Sequence, residues 1–242
     1  MFIPKKIHYC WFGGNPLPPM AQKCIASWEK FFPDYEIVRW DESNYDVNKI
    51  PYIQEAYEAR KYAFVSDYAR FDILYHHGGL YFDTDVEVIK NFEPIIHAGP
   101  FMGCEKGGGA LSHVAPGLGI GALPGMPVYR ELLDIYSKRH FRNPDGSYDH
   151  TTIVEITTAL LTKYGFNAEC KDIQKCADFY IYPPEFFSPR NGVGGRYRLF
   201  EKTYSIHHYA ASWMSSGGKI RAKLSKLIGY DNYNALKRLI GK

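Results

Sequence analysis

The sequence predicts an α/β fold, a parallel sheet with helices packed on its faces, and three features carry that expectation. Between Lys5 and Asp41 it reads strand, helix, strand, the opening of a βαβ unit. A long apolar-rich helical stretch then ends at a glycine pair, Gly78-Gly79, and runs straight into a strand. The composition, 45% hydrophobic and 23% charged, is that of a chain that buries an ordinary core rather than one that stays disordered.

Taken in order, "KKIHYCWFGG" is a short buried strand ending in a glycine turn, and "MAQKCIASWEKFF" is a helix closed by the Pro33-Asp34 turn. "YEIVRWD" alternates as a second strand. "YIQEAYEARKYAFVSDYARFDILYHHGG" is one long helical segment or two, and "LYFDTDVEVI" is the strand that follows it. "GPFMGCE" and "GLGIGALP" predict further short strands. "PVYRELLDIYSKRHF" and "TTIVEITTALLTKYGF" predict helices, separated by the loop "RNPDGSYD". "FYIYPPEFFSP" and "TYSIHHYAASW" supply late strands and loops. At 242 residues, with no internal repeat or low-complexity linker, one large domain over residues 1–218 is expected.

Composition narrows the functional classes. Aromatic residues make up 16%, with 20 Tyr, which fills a core and also suits stacking on sugars and bases. The start "MFIPKKIHYC" lacks the apolar run of a secretory signal, and no apolar stretch is long enough to span a bilayer. Five scattered cysteines form no CxxC pair and fit a reducing, cytoplasmic setting. Residues 219–242 hold seven Lys/Arg and one Asp, so this tail is strongly basic within a chain of net charge +3. Its Ile220, Leu224, Leu227 and Ile228, followed by Leu236, Leu239 and Ile240, give an amphipathic helix. Such a tail either docks on its own domain or lies on an anionic membrane surface. Outside the tail, basic residues are not interleaved with aromatics, so no nucleic-acid partner is expected.

Three motifs carry chemistry. Asp83-Thr84-Asp85 closes an apolar run, and two carboxylates so close repel unless a positive group sits beside them. Mg²⁺ or Mn²⁺ held by one or two carboxylates and a substrate phosphate answers that need; a turn cap is the structural alternative. The same "LYFDTDV" fits an aspartyl-phosphate phosphohydrolase, with Asp83 as nucleophile and Asp85 as acid/base, but the pair stands far from the first strand and no later acidic pair completes that site. In "SDYAR", Asp67 and Arg70 share a helix face, either as an intrahelical ion pair or as groups aimed into a cleft. In "IHHYAASW", one of His207 and His208 faces a metal site, or both are core histidines. Gly117-x-Gly119-x-x-Ala122 is a loose dinucleotide fingerprint and is rejected, because Pro116 precedes it and Pro124 disfavours a following helix.

In combination, "IPKKIHYCWFGG", "WDESN", "AFVSDYARFDILYHHGGLYFDTDV" and "IHHYAASW" resemble the sugar-binding DxD glycosyltransferases of family 32, among them bacterial capsular and lipopolysaccharide sugar transferases, and more distantly the glucosyltransferase domain of the large clostridial toxins. The resemblance implies a GT-A fold, a Rossmann-like mixed sheet flanked by helices. It also implies a retaining transfer from a nucleotide sugar, a UDP-sugar first, to a glycan or lipid-linked acceptor at the inner membrane face, with Mn²⁺ or Mg²⁺ on the diphosphate. Carried over by motif, Trp11 stacks on the base, Asn44 holds the nucleoside, and Asp67 and Arg70 grip sugar and phosphate beside Tyr81. Asp83 contacts ribose or sugar and, through the metal, phosphate, and Asp85 ligates the metal directly. Trp213 roofs the donor, and His208, preferred to His207 by its distance from Trp213, completes the metal site. Ala211 stands where relatives often carry Gly or a hydroxyl residue. "TTIVEITT" lacks a Gly-Pro dipeptide, which leaves Thr151, Thr152 and Glu155 as candidate acceptor contacts. A non-catalytic nucleotide-sugar-binding module is the remaining alternative.

Overall fold

The computed structural model describes residues 2–106, 111–189 and 198–210. Trp213, Ala211 and the basic tail at 219–242 therefore lie outside the described residues. The first strand, β1 (Lys6–Cys10), leads through α1 (Pro19–Phe31) to β2 (Glu36–Trp40), which pairs with β1 in parallel, as a βαβ unit requires.

The helical segment, expected as one helix or two, is two: α2 (Pro51–Glu58) and α3 (Tyr62–His77), separated where Arg60 adopts a left-handed φ of 56°. Helix α3 buries residues all round its surface, from Val65 through Leu74, so it runs through the interior and not across the surface. It stops at Gly78, whose N–H bonds back to Leu74 O at 2.8 Å. Gly78 and Gly79 both have positive φ, and a Cβ on Gly79 would come within 2.8 Å of Lys6 O, so only glycine lets the chain turn from α3 directly into β3 (Gly79–Tyr81) beside β1.

The strand expected over "LYFDTDVEVI" is broken in two. β3 ends at Tyr81, Asp83 to Asp85 form a turn closed by Val86 N–H to Asp83 O at 3.0 Å, and β4 (Val86–Val88) joins a different sheet. The aspartates are thus brought together by a turn and not by strand alternation. Further along come α4 (Glu93–Ala98), β5 (Phe101–Lys106), β6 (Ser112–Val114), a 3-10 turn (Pro116–Leu118), β7 (Ile120–Ala122), α5 (Pro127–Ser137) and α6 (Ile153–Lys163). They are followed by β8 (Gln174–Cys176), β9 (Phe179–Tyr182), α7 (Pro184–Phe187) and β10 (Ser205–His207).

Among the described residues the main sheet runs β2-β1-β3-β7-β5-β9-β8, with β6 beside β5. It is parallel at β2-β1-β3 and at β5-β9, and antiparallel where β7 enters between β3 and β5, so the sheet is mixed. Neighbouring strand residues go to opposite cores. Leu80, Phe101 and Tyr182 join Trp28 and Phe92 on one side, while Tyr81, Met102 and Ile181 join Phe71 and Leu132 on the other. Helices α2, α3, α5 and α6 cover the second face and α1, α4 and α7 the first.

The small antiparallel sheet pairs β4 with β10, placing His207 opposite Val86. Helix α1 pins it. The fully buried Trp28 donates its indole N–H to Val86 O at 2.8 Å, and Ser27 Oγ accepts Val88 N–H at 2.9 Å. The acidic turn is therefore held between two sheets that share one core, in which Val86 and Val88 of β4 pack with Leu80 and Phe101 of the main sheet.

Candidate functional site

Helix α3 presents Asp67 and Arg70 toward the acidic turn. Arg70 is buried, with only 4% of its side chain exposed, and its guanidinium meets three acceptors. Nη2 donates to Asp67 Oδ1 at 2.9 Å, Nη1 to Asp83 Oδ2 at 3.2 Å, and Nε to Ser66 O at 3.1 Å. The Tyr81 ring lies 4.9 Å from its Cζ, a cation–π contact. The two alternatives for Asp67 and Arg70 are thus both realised: they form the i,i+3 ion pair, and Arg70 also reaches across to Asp83. Burial alone would lower the Arg70 pKa; the charge of Asp83, and after it Tyr81 and Asp67, reverses this, so the group stays charged. Burial pushes the Asp67 carboxyl up to about 7 against the opposing pull of Arg70.

Asp85 is held from the other side by the chain after β10. His207 Nε2 bonds Asp85 Oδ1 at 3.0 Å, Ala210 N–H donates to Asp85 Oδ2 at 2.7 Å, and His208 N–H donates to Asp85 O at 2.9 Å. Burial raises the Asp85 carboxyl, but the His207 hydrogen bond and charge and the Ala210 amide outweigh it, and the net direction is down. His207 is correspondingly raised: burial opposes its charged form and Asp85 more than restores it.

One carboxylate oxygen from each of Asp83 and Asp85 and one ring nitrogen of His207 lie within 4.8 Å of one another. At that separation, and with the effective dielectric of a protein surface, the two carboxylates repel by about 3 kcal/mol. Oxygen and imidazole donors at this spacing fit Mn²⁺ or Mg²⁺. The histidine beside the aspartates is His207. His208, which counting back from Trp213 favours, turns its Nε2 to Glu87 Oε2 at 2.8 Å, and Lys23 pairs with the same carboxylate. Adjacent residues on an extended strand face opposite ways, so only one of the two can meet the acidic turn.

The other expected residues are placed as follows. Tyr81 is buried beneath Arg70. Trp11, at the end of β1, is half-buried and donates its indole N–H to Asn15 O at 2.6 Å. Asn44 is exposed and staples its own loop, accepting from Asp41 N–H and donating to Arg39 O, both at 2.9 Å. Thr152 and Glu155 form a capping box at the start of α6, and Thr151 bonds Asp149, so these three side chains are engaged in building the helix entry.

Sequence reasoning missed Gly117. The 3-10 turn brings it against the acidic turn so closely that a Cβ there would lie 2.3 Å from Asp83 Oδ2 and 3.4 Å from Arg70 Nη1. Its glycine-rich run drew attention only as a dinucleotide fingerprint. A glycine needed for close approach to a side chain carries no pattern of its own.

Known proteins resemble this chain over the segment that carries the acidic turn. Residues 18–102 match the family described as the glycosyltransferase sugar-binding region containing a DXD motif, a segment that includes Asp67, Arg70, Tyr81, Asp83 and Asp85. The chain is 28% identical over 196 residues to an uncharacterized glycosyltransferase of Acanthamoeba polyphaga mimivirus, covering 78% of this chain and 76% of that protein. It is 34% identical over 99 residues to inositol phosphoceramide mannosyltransferase 3 of Schizosaccharomyces pombe, covering 39% of this chain but only 28% of the yeast protein. Among solved structures, the PaToxG glycosyltransferase superposes with a TM-score of 0.51 at 19% identity, over 67% of this chain and 70% of that one, a likeness of fold. The fold is of the GT-A type, and the resemblance to DXD glycosyltransferases holds.

Proposed function

We propose that this chain, a glycosyltransferase by its DXD sugar-binding region, is a divalent-metal-dependent enzyme that transfers a hexose from a nucleotide sugar to a glycan or lipid-linked acceptor. The observation that carries the reading is the convergence of Asp83, Asp85 and His207 beside the buried Arg70. In this reading Asp83, Asp85 and His207 hold Mn²⁺ or Mg²⁺. When bound, the cation would supply neutralisation of the charge that develops on a departing diphosphate. Arg70 keeps a fixed positive charge at the same place, and Asp67 and Tyr81 keep Arg70 in position. Trp11 and Asn44 are assigned to the nucleoside, and Trp213 to the roof of the donor.

Among the described residues, no side chain in the site is an assured nucleophile. We therefore favour retention by front-face transfer, in which the leaving phosphate takes the acceptor's proton; isolation of a covalent sugar–enzyme adduct would overturn this. A UDP-sugar is the donor expected from the resemblance. The relatedness to a protein named as a mannosyltransferase of inositol phosphoceramide favours GDP-mannose and a lipid acceptor as the second pair to test. No described helix is long and apolar enough to cross a membrane. The basic tail is assigned to the anionic inner membrane face, and deleting residues 219–242 should weaken binding to anionic vesicles; equal binding would end that assignment.

The test is Asp85→Ala. We expect loss of Mn²⁺-dependent donor hydrolysis with the fold retained, at a melting temperature lowered by loss of the bonds to His207 and the Ala210 amide. A binding module would return the donor unchanged in the wild type, and a phosphohydrolase would release inorganic phosphate from phosphomonoesters. Undiminished donor turnover in the variant would remove the metal-site reading.

A further inference from the structure

After β10 the chain doubles back over the acidic turn. His207 and the backbone N–H groups of His208 and Ala210 all converge on Asp85 within this short span. The reversal falls at Tyr209, which stands at φ 50°, in the left-handed region. That conformation costs a side-chain-bearing residue about 1–2 kcal/mol and persists only where the surroundings fix it.

The Tyr209 side chain shows how it is fixed. Its hydroxyl donates to Glu105 Oε2 on β5 at 2.7 Å and bonds Ser188 Oγ, just past α7, at 2.8 Å. Its ring lies 4.1 Å from that of His207, centroid to centroid. Glu105 belongs to the main sheet and Ser188 is buried beside it, whereas His207 belongs to the small sheet. Tyr209 therefore fastens the metal-facing end of the small sheet to the large one. The imidazole is thus constrained by its hydrogen bond to Asp85 and by the flank against which its ring rests.

We infer that Tyr209, anchored by Glu105 and Ser188, is a positioning residue that sets the His207 imidazole against Asp85 and so fixes the geometry of the cation site. The inference rests on the metal reading above. Partners outside the ligand shell orient a ligating histidine, and losing one weakens metal affinity by about 10–100-fold.

The test measures Mn²⁺ binding to the full chain without donor, by the fall in the electron paramagnetic resonance signal of free Mn²⁺, with melting temperatures recorded alongside. Tyr209→Phe keeps the ring and removes the hydroxyl; its Mn²⁺ Kd should rise about tenfold. Tyr209→Gly relieves the left-handed backbone and removes the anchor, and should bind at least as weakly. Ser188→Ala, which removes one of the two bonds, should raise Kd about threefold, and it decides the matter if the Tyr209 variants fold poorly. An unchanged Kd in Tyr209→Phe or, where that variant misfolds, in Ser188→Ala overturns the anchor. So does tight binding by Tyr209→Gly, since the backbone alone would then set the geometry. A wild type that leaves the Mn²⁺ signal unchanged overturns the metal reading itself, and with it the anchor, and is recognised without any variant.

Discussion

Gly117→Ala adds a single methyl group at the most crowded point of the site. The backbone accepts it, since Gly117 is not among the glycines with positive φ, so any effect comes from the methyl itself. The new Cβ would stand 2.3 Å from Asp83 Oδ2, where ordinary contact begins at 3.4 Å. The carboxylate must therefore retreat by about 1 Å, and a displacement of that size at a reacting centre costs about 100-fold in rate. Asp83 can move by rotating its side chain, but not without lengthening its 3.1 Å pairing with Arg70. We expect a split result. Stability should fall by only about 1–3 kcal/mol, as for one methyl forced into a packed place. Mn²⁺-dependent donor turnover should fall about 100-fold, with weakened Mn²⁺ binding. The assay pairs donor hydrolysis at saturating Mn²⁺ with a thermal melt. Wild-type turnover in a well-folded variant would refute the reasoning, because Asp83 would then not need its observed position.

Two further expectations concern groups that support the site. Arg70→Lys retains a charge but replaces a three-way fork with a point donor; it should cost about 2–3 kcal/mol in stability and most of the turnover, read by denaturant melts and donor hydrolysis. The fully buried His8 donates through Nε2 to Gly78 O at 3.0 Å and accepts from the Trp40 indole through Nδ1 at 3.1 Å, so it is held neutral, and burial lowers its pKa from 6.5 to about 4. The unfolded chain takes up this proton first as pH falls, so stability should decline between pH 6.5 and about 4 by about 3 kcal/mol, with no further loss from His8 below that. His8→Gln, which keeps one donor and one acceptor, should flatten that part of the pH profile of unfolding free energy; an unchanged slope would show that His8 does not set it.

The layered fold was legible because its signals are local. Alternation in "YEIVRWD", the helical spacing of α1 and the Gly78-Gly79 stop each report on a few neighbouring residues. The pair Asp67 and Arg70 and the DxD were legible for the same reason. What stayed hidden depends on contacts between distant segments. Nothing local says that "LYFDTDVEVI" should split between two sheets, since its apolar pattern suits either, and the split follows from the pairing of β4 with β10 more than a hundred residues later. The choice between His207 and His208 turns on which face of β10 meets the acidic turn, a matter of register that neither residue's type reveals. Glu105 on β5, Gly117 in the 3-10 turn and Ser188 just past α7 gain their meaning only when the mixed sheet closes.

That closure answers the electrostatic problem of two aspartates one residue apart. Each carboxylate has its own partner from a different part of the chain: Arg70 of α3 for Asp83, and His207 with the Ala210 amide for Asp85. One arginine carries a single positive charge against their two, so Arg70 leaves net negative charge for a ligand to neutralise. Among the described residues Asp83 and Asp85 face one permanent cation, Arg70, so with His207 neutral the site keeps an excess of negative charge at its open edge, where Asp83 remains 29% exposed while Arg70 is nearly sealed. A divalent cation is attracted to that edge, and an anionic diphosphate is not until the cation is bound. We therefore expect ordered binding: isothermal titration should show nucleotide diphosphate binding at least about tenfold weaker without Mn²⁺, a difference of about 1.4 kcal/mol. Equal affinity in chelator would mean that Arg70 alone holds the phosphate and that the acidic turn serves another purpose.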